Sequence, residues 1–262
     1  MSHGRQTIYV AKIYDSRRSQ ISNQDKIPDE RRQIASNKPN DMFLKPINID
    51  THTKEVTPMS NSVRILAYGP KACFTRPESK IERVTYPAIT INASRGICDA
   101  VYRHPGFIWC VDKIWVLHPI QLYTEMRNEL DGQQRNTTFL HDPAYVIEAH
   151  PKVLPDAGVP IGTKSEYRFV RKTIGIFNRR LRRGQQYEQP HLGLRECEAF
   201  LEPIDGEIPK SCHDGSGKID LGLMVYQIDY DNPGAPSSYI HLTMEDGLID
   251  VARAVAEGKV VR

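Results

Sequence analysis

Short apolar runs and two amphipathic segments follow residue 58, and their order predicts an α+β fold. Val63–Tyr68 is a β-rich run that ends at a Gly-Pro turn signal, and Phe107–Leu117 is a longer run of strand-forming residues. Between them, Asn92 or Ser94 can cap a helix that runs to about His104. The order strand, helix, strand is typical of an α+β sandwich.

The second amphipathic segment predicts a helix over Arg168–Arg183, with Gly184 as its C-terminal cap. Its apolar positions recur with a helical period: Val170, Ile174, Phe177 and Leu181. A basic stripe is expected on the opposite side of this helix: Arg168, Lys172, Arg179 and Arg183. The helix therefore has one side suited to a core and one suited to solvent or to an anionic partner.

Further β-structure is predicted toward the C-terminus. Thr137–His150 has the pattern of a strand or hairpin, and Leu194–Leu201, Ile219–Tyr230 and Tyr239–Val251 have the pattern of later strands. The last of these contains Asp246-Gly247, a hairpin turn signal.

Charge and composition separate an N-terminal extension from the rest. Residues 1–58 are polar, without a lasting apolar period, and predict a mobile extension. They hold ten Lys/Arg and seven Asp/Glu, which accounts for the whole net charge of +3. Within the neutral remainder, Thr163–Arg195 holds nine Lys/Arg and two Asp/Glu. A local basic element of this kind indicates binding to an anionic partner such as nucleic acid.

Several function classes are excluded by what the chain lacks. The five cysteines are odd in number and show no CxxC spacing, which argues against a disulfide framework or a structural zinc site and favours a reducing cytosol. No run of 18 apolar residues suggests a membrane span, and the N-terminus has no secretory pattern. No His/Cys/Asp/Glu cluster has metal-ligand spacing. We therefore expect a cytoplasmic protein without a metal or other cofactor.

Four blocks of sequence, in chain order, resemble one known family. They are FTRPESKIERVTYPAIT, ASRGICDAVYRHP, WCVDKIWVLHPIQ and RRLRRGQQYEQPHLGLREC, and they are similar to the Cas-five family of CRISPR-associated proteins, subtype I-C (Dvulg type). The resemblance spans roughly Met59–Val251. It implies an RNA-recognition-motif-like (ferredoxin-like) domain with a β-hairpin over residues 59–192, and a smaller β-rich part over 193–262.

The resemblance also implies a function and partners. In subtype I-C, the protein is the endoribonuclease that cuts the repeat hairpin of precursor CRISPR RNA without metal. It then stays on the 5′ handle as a subunit of the Cascade surveillance complex. The implied partners are CRISPR RNA and the other type I-C Cascade subunits.

Two residues match catalytic positions of the family, and a third departs from it. Tyr102 in AVYRHP and Lys172 in VRKT match the family's catalytic tyrosine and lysine. Similar proteins carry histidine directly after that lysine, whereas this chain has Thr173, which cannot act as acid or base near neutral pH. Either His191 or His150 takes the role, or the alignment slips before Arg168, or the protein binds RNA without cutting it. Among the two histidines, His191 is the one we assign to the site.

The remaining candidates are RNA contacts, because arginine planes and aromatic rings suit single-stranded and hairpin RNA. They are Arg76, Lys80, Arg83, Arg179, Arg180, Arg182, Arg183, Tyr187 and Arg195. Three hypotheses stay open: an active endoribonuclease, a non-catalytic RNA-binding Cascade scaffold, and a general nucleic-acid-binding module.

Overall fold

Eleven strands and three α-helices make up the part of the chain that the computed structural model describes, residues 61–79, 81–128, 132–228 and 237–261. The strands are Val63–Tyr68 (β1), Lys71–Ala72 (β2), Phe107–Val116 (β3), Leu122–Asn128 (β4), Gln134–His141 (β5), Ala144–Val153 (β6), Phe200–Pro203 (β7), Lys218–Gln227 (β8), Ser238–Glu245 (β9), Leu248–Asp250 (β10) and Val260–Val261 (β11). The helices are Ile91–Val101 (α1), Lys164–Arg182 (α2) and Val251–Ala256 (α3), with a 3₁₀ turn at Pro155–Ala157. The predicted extension, residues 1–58, and the predicted RNA contact Lys80 lie outside the described residues.

Four of the strands and the first two helices follow the ferredoxin-like order. Along the chain they are β1, α1, β3, β6, α2 and β7, and in the sheet the strands stand in the order β3-β6-β1-β7. Each neighbouring pair in this set is antiparallel. This arrangement confirms the α+β, RNA-recognition-motif-like fold expected from the sequence.

A smaller sheet, in the order β2-β5-β4, contains the expected β-hairpin. Its strands β4 and β5 pair antiparallel from Leu122 opposite Leu140 to Asn128 opposite Gln134. The segment Thr137–His150, predicted as a strand or hairpin, is divided between two sheets. Its first half belongs to β5 and its second half to β6, and Asp142, at φ 45°, lies between them.

The C-terminal strands extend the main sheet beyond β3. Strand β10 pairs with β3, β9 pairs with β10, and β8 and β11 both pair with β9. The predicted turn at Asp246-Gly247 joins β9 to β10, and both residues have the positive φ of a primed hairpin turn. The predicted strand over Leu194–Leu201 is wrong for most of its length, because regular pairing begins only at Phe200. The domain division after residue 192 stays a prediction.

Helix α1 starts and stops earlier than the sequence pattern suggests. Its cap is Thr90, whose hydroxyl accepts the Ala93 N–H at 3.2 Å, so the prediction of Asn92 or Ser94 is wrong. Ser94 is instead buried inside the helix and bonds back to the Thr90 carbonyl. The helix ends at Val101, because Tyr102 already has extended backbone angles.

Helix α2 begins one turn before the predicted Arg168. Thr163 caps it by accepting the Glu166 N–H, and the Glu166 carboxylate accepts the Gly162 N–H in return. The predicted cap Gly184 follows the helix with φ 60°, a conformation that glycine adopts without strain. The inward side of the helix buries Thr173, Phe177 and Leu181, and the basic stripe is exposed as predicted.

An aromatic cluster holds the helices onto the sheet. Trp109 of β3 is fully buried, with its ring centroid 4.9 Å from that of Phe177 on α2 and 5.2 Å from that of Phe107. Its indole N–H donates to the backbone carbonyl of Tyr102 at 2.9 Å. The core thereby fixes the point at which the chain leaves α1, which is where the catalytic tyrosine was predicted.

Candidate active site

The loop between α1 and β3, residues 102–106, carries Tyr102. The Tyr102 backbone N–H donates to the Cys98 carbonyl at 3.0 Å and its carbonyl accepts from Trp109, so the backbone is held at both ends. The half-buried ring lies 5.8 Å from the Phe107 ring. Its hydroxyl forms no hydrogen bond with any residue that the structure describes, so it is available to a ligand.

Arg180 of α2 contacts this loop and the end of α1 through its guanidinium. Its guanidinium stands 5.1 Å from the centroid of the Tyr102 ring, and its Nη1 donates to the Val101 carbonyl at 3.1 Å. The cation also lies at the C-terminal end of α1, where the helix dipole favours positive charge. Arg180, predicted as an RNA contact, is therefore engaged in positioning Tyr102.

Lys172 lies on α2 beside the same loop. Helix α2 turns Phe169 toward the loop, where its ring meets that of Phe107 at 6.3 Å. At about 100° and 1.5 Å per residue, Lys172 is roughly 60° around the helix from Phe169 and about 4.5 Å further along it. The lysine is exposed and forms no hydrogen bond or ion pair within the described part of the chain. It thus borders the side of α2 that faces Tyr102.

Lys172 belongs to a continuous basic surface, which we call the α2 basic stripe. Its members are Arg168, Lys172, Arg179 and Arg183, and all four are exposed. By helix geometry they fall within an arc of about 60°. A groove of about 460 Å³ runs beside Arg179 and Arg183. An RNA backbone laid along this stripe would pass the Tyr102 loop, since the stripe borders the side of α2 on which that loop packs.

Thr173, the residue after Lys172, is buried. Thr173 is only 3% exposed and lies with Phe177 and Leu181 on the inward side of α2. By helix geometry Thr173 is about 40° around α2 from Phe169 and about 20° from Arg180, so it lies on the side of α2 that faces the Tyr102 loop, where its neighbours cover it. In this chain, therefore, the position that carries histidine in similar proteins belongs to the core.

The two histidines considered as substitutes lie elsewhere. His191 is half-buried and lines a cleft of about 540 Å³, and it makes no hydrogen bond, ion pair or ring contact with Tyr102 or Lys172. His150 stands opposite Cys110 in the β6–β3 ladder, and side chains alternate along a strand, so it points to the other face of the sheet from Trp109. The structure brings neither histidine into contact with Tyr102.

His150 is already paired with a carboxylate. Its Nδ1 lies 2.9 Å from both carboxylate oxygens of Asp112, and this hydrogen bond, aided by one to Cys110, raises the pKa of His150 to about 10. It is therefore protonated and bound to Asp112 near neutral pH.

A third histidine, which the sequence interpretation did not assign, lies in the same aromatic cluster as Tyr102. The His104 ring is stacked parallel to Phe107, with centroids 6.2 Å apart, and meets Phe169 of α2 edge-on at 5.8 Å. Its Nδ1 accepts the Gly106 N–H at 3.0 Å. The available signal was its place two residues after Tyr102, in the loop that Pro105 and Gly106 form.

The arginines at the end of α2 have different surroundings. Arg182 forms a two-pronged ion pair with Asp205, at 2.6 and 3.3 Å, and this pair raises the pKa of the guanidinium. Arg179 and Arg183 are exposed on the stripe. Tyr187 is 65% exposed, and its backbone N–H bonds the Ala100 carbonyl at 2.6 Å, so its ring is held beside the end of α1.

The other predicted RNA contacts lie in loops outside α2. Arg76 stacks on Tyr86, with its guanidinium 4.9 Å from the ring centroid, and pairs with Glu78 at 3.8 Å. Arg83 is half-buried, and its carbonyl accepts the Thr138 N–H of the hairpin. Arg195 is exposed and lies within a tight loop, which the Leu192 N–H closes by donating to the Cys197 carbonyl.

The cleft that His191 lines also contains charged side chains. Arg95 and Asp99 of α1, Arg103 of the following loop and Glu188 all line it. Burial, together with the nearby negative charge of Glu188, outweighs the two arginines and raises the pKa of Asp99 to about 6. This cleft adjoins α1 but is lined by neither Tyr102 nor Lys172.

Two absences hold for the described residues. They contain no group of three or more His, Cys, Asp or Glu side chains that could hold a metal ion. None of the helices in residues 61–79, 81–128, 132–228 and 237–261 has the length and apolarity that crossing a membrane requires.

Comparison with known proteins assigns the family. Residues 63–252 match the family model Cas5d, described as CRISPR-associated protein (Cas5), and the match includes Tyr102, Lys172 and the whole ferredoxin-like core. The chain belongs to the Cas5d family. This confirms the resemblance drawn from the four sequence blocks.

The chain is also similar to named Cas5d proteins and to a solved structure. It is 36% identical to the CRISPR pre-crRNA endoribonuclease Cas5d of Mannheimia succiniciproducens, over 76% of this chain and 98% of that protein. It is 35% identical to the protein of the same name from Thermus thermophilus, over 66% of this chain and 76% of that protein. A solved structure titled as a CRISPR-associated protein superposes with a TM-score of 0.61 at 26% identity, covering 77% of this chain and 96% of that chain.

Proposed function

We propose that this Cas5d protein is a metal-independent endoribonuclease that cuts precursor CRISPR RNA in its repeat hairpin. One observation carries the proposal: identity to proteins named pre-crRNA endoribonuclease extends over nearly the full length of the Mannheimia relative. The site residues agree with it, since neither the Tyr102 hydroxyl nor the Lys172 ammonium bonds another described residue.

The proposed reaction uses the RNA's own nucleophile. The 2′-oxygen attacks the adjacent phosphorus, a new O2′–P bond forms and the P–O5′ bond breaks, which leaves a 2′,3′-cyclic phosphate and a 5′-hydroxyl. The 2′ proton passes to a base, and a proton is delivered to the departing 5′ oxygen. Tyr102 makes one of these two transfers, and Lys172 neutralises the charge that builds up on the phosphorane oxygens.

The proposal extends to binding after the cut. The α2 basic stripe holds the backbone of the hairpin, and the exposed ring of Tyr187 stacks on an unpaired base of the 5′ handle. With the handle retained, the protein serves as a subunit of the type I-C Cascade complex. The stripe supports this part of the proposal, because exposed cations in one arc suit a continuous RNA backbone.

A cleavage assay on the cognate repeat hairpin tests the proposal. Wild-type protein with excess EDTA should cut the hairpin at one position and leave a 2′,3′-cyclic phosphate. A hairpin with a single 2′-deoxy nucleotide at the cut position is the matched control, and it should bind equally well but stay intact. Cutting that requires added Mg²⁺, or cutting of the 2′-deoxy hairpin, would contradict the proposed chemistry.

A non-catalytic scaffold is the second candidate. Thr173 favours it, because the imidazole of similar proteins is missing from this position and the position itself is buried. Tight, hairpin-specific binding with no product under any metal condition would select this function. Binding without preference for the hairpin would select a general nucleic-acid-binding module instead.

A further inference from the structure

The imidazole of His104 is held in one orientation by three neighbours. Phe107 stacks on its face, Phe169 meets it edge-on, and the Gly106 N–H donates to its Nδ1. A Cβ at Gly106 would stand 3.1 Å from Nδ1 and 3.2 Å from Cε1 of the ring, so a larger residue there would shift the ring by a few tenths of an ångström. These contacts fix the orientation of a side chain that is itself exposed to solvent.

The hydrogen bond to Gly106 decides which ring nitrogen carries the proton. A backbone N–H can only donate, so Nδ1 must present its lone pair, and the proton of the neutral ring is on Nε2. The outward nitrogen of His104 is therefore an Nε2–H donor, and Nε2 bonds no other described residue.

The His104 ring shares its packing partners with the proposed cleavage site. The Tyr102 and His104 rings both pack on Phe107, at 5.8 and 6.2 Å between centroids. His104 also touches Phe169, which is one helical turn from Lys172 on α2. His104 is therefore in the same aromatic cluster as the Tyr102 ring, beside the turn of α2 that precedes Lys172.

We propose that His104 is a further catalytic residue, which donates an Nε2–H hydrogen bond from its neutral ring to a non-bridging oxygen of the scissile phosphate. This inference rests on the proposed function. The proton stays on Nε2 throughout, so His104 stabilises charge on the phosphorane and is neither the general acid nor the general base. It does not replace the histidine missing at position 173; it supplies a different contribution from another loop.

Two isosteric substitutions separate this role from the alternatives. In His104→Asn the side-chain oxygen takes the place of Nδ1, so the bond from Gly106 is kept and the outward donor is lost. In His104→Gln the side-chain amide nitrogen takes the place of Nε2, so the outward donor is kept. The measurement is the single-turnover rate of hairpin cleavage by saturating protein, together with hairpin affinity and thermal stability for each variant.

The expected order of rates is wild type, then Gln, then Asn and Ala together, with Asn and Ala slowed roughly 10²–10³-fold. Gln should recover at least a tenth of the wild-type rate, and hairpin affinity should change little in any variant. Gly106→Ala should slow cleavage as well, because it displaces the ring.

Each other outcome overturns the inference in a recognisable way. Equal, severe losses in Gln, Asn and Ala would assign proton transfer to His104. A higher rate for Asn than for Gln would assign it a purely structural role in the loop. Wild-type rates in all three would remove it from the site while leaving the proposed function intact. A wild-type protein that binds the hairpin without cutting it would refute the proposed function and this role with it.

Discussion

Arg179 and Arg180 are neighbours in sequence, but the structure predicts opposite consequences for replacing them. Arg180 is half-buried and bonds the end of α1, whereas Arg179 is exposed on the α2 basic stripe. Arg180→Met should therefore lower both folding stability and cleavage. Arg179→Met should leave stability unchanged and weaken RNA binding. Methionine retains most of the aliphatic stem, so each substitution mainly removes the guanidinium.

The size of the Arg180 effect follows from its two contacts. The charged hydrogen bond to the Val101 carbonyl, at 3.1 Å, contributes about 1.5–3 kcal/mol. The guanidinium over the Tyr102 ring adds about 0.5–1 kcal/mol, and partial exposure reduces the sum. We expect Arg180→Met to lower the free energy of unfolding by about 1–3 kcal/mol. Cleavage should slow at least tenfold, because the tyrosine loses its support.

Two measurements check this pair. Urea unfolding followed by fluorescence gives the free energy of unfolding, and Arg179→Met should stay within about 0.5 kcal/mol of wild type. Affinity for the hairpin across a range of salt concentrations gives the number of phosphate contacts. Arg179→Met should reduce the slope of log affinity against log salt by about 1, and Arg180→Met should leave the slope unchanged. A reduced slope in Arg180→Met with unchanged stability would refute the assignment of Arg180 to the loop.

Three further predictions concern other parts of the molecule. Thr173→His should lower the free energy of unfolding by about 1–3 kcal/mol and give no gain in cleavage, because the site is buried; urea unfolding and the hairpin assay check this, and faster cleavage would contradict it. Gly193→Ala should cost roughly 2–4 kcal/mol, since φ is 88° and a Cβ would overlap the Cys73 carbonyl; a melting temperature equal to wild type would refute it. Asp112→Asn should destabilise the protein most below pH 6.5 and progressively less toward pH 10. The reason is that the hydrogen bond to Asp112 raises the pKa of His150 in the folded protein. The pair therefore stabilises the fold fully below the pKa of His150 in the unfolded chain, and this stabilisation is lost as the pH rises through its pKa in the folded protein. Thermal melts of both proteins between pH 6 and pH 10 measure this, and a constant difference would contradict it.

The pattern of apolar positions was sufficient for the fold class and for both long helices, but not for their ends. Thr90 and Thr163 cap helices α1 and α2 from positions before the apolar period begins, so periodicity alone could not find them. Strand β4 escaped prediction because it belongs to a small projecting sheet and has no buried residue, so it lacks the apolar alternation of a half-buried strand.

The site was predictable only where a residue matches the family locally. Tyr102 and Lys172 could be named from short blocks, but their relation to each other depends on how α2 packs on the α1–β3 loop. Which arginines bond other parts of the protein and which face solvent depends on partners elsewhere in the chain: Val101 for Arg180 and Asp205 for Arg182. His104 was overlooked for the same reason, because its orientation comes from Phe169, far along the chain.

The central claim, that Tyr102 and Lys172 perform metal-independent RNA cleavage, is tested most directly by single-turnover cleavage of the cognate repeat hairpin in EDTA. The variants are Tyr102→Phe and Lys172→Ala, and the matched controls are Tyr167→Phe and Lys164→Ala on the exposed surface of α2. We expect both site variants to be slowed roughly 10²–10⁴-fold with little change in hairpin affinity, and both controls to cut at the wild-type rate. Wild-type rates in both Tyr102→Phe and Lys172→Ala would contradict the account.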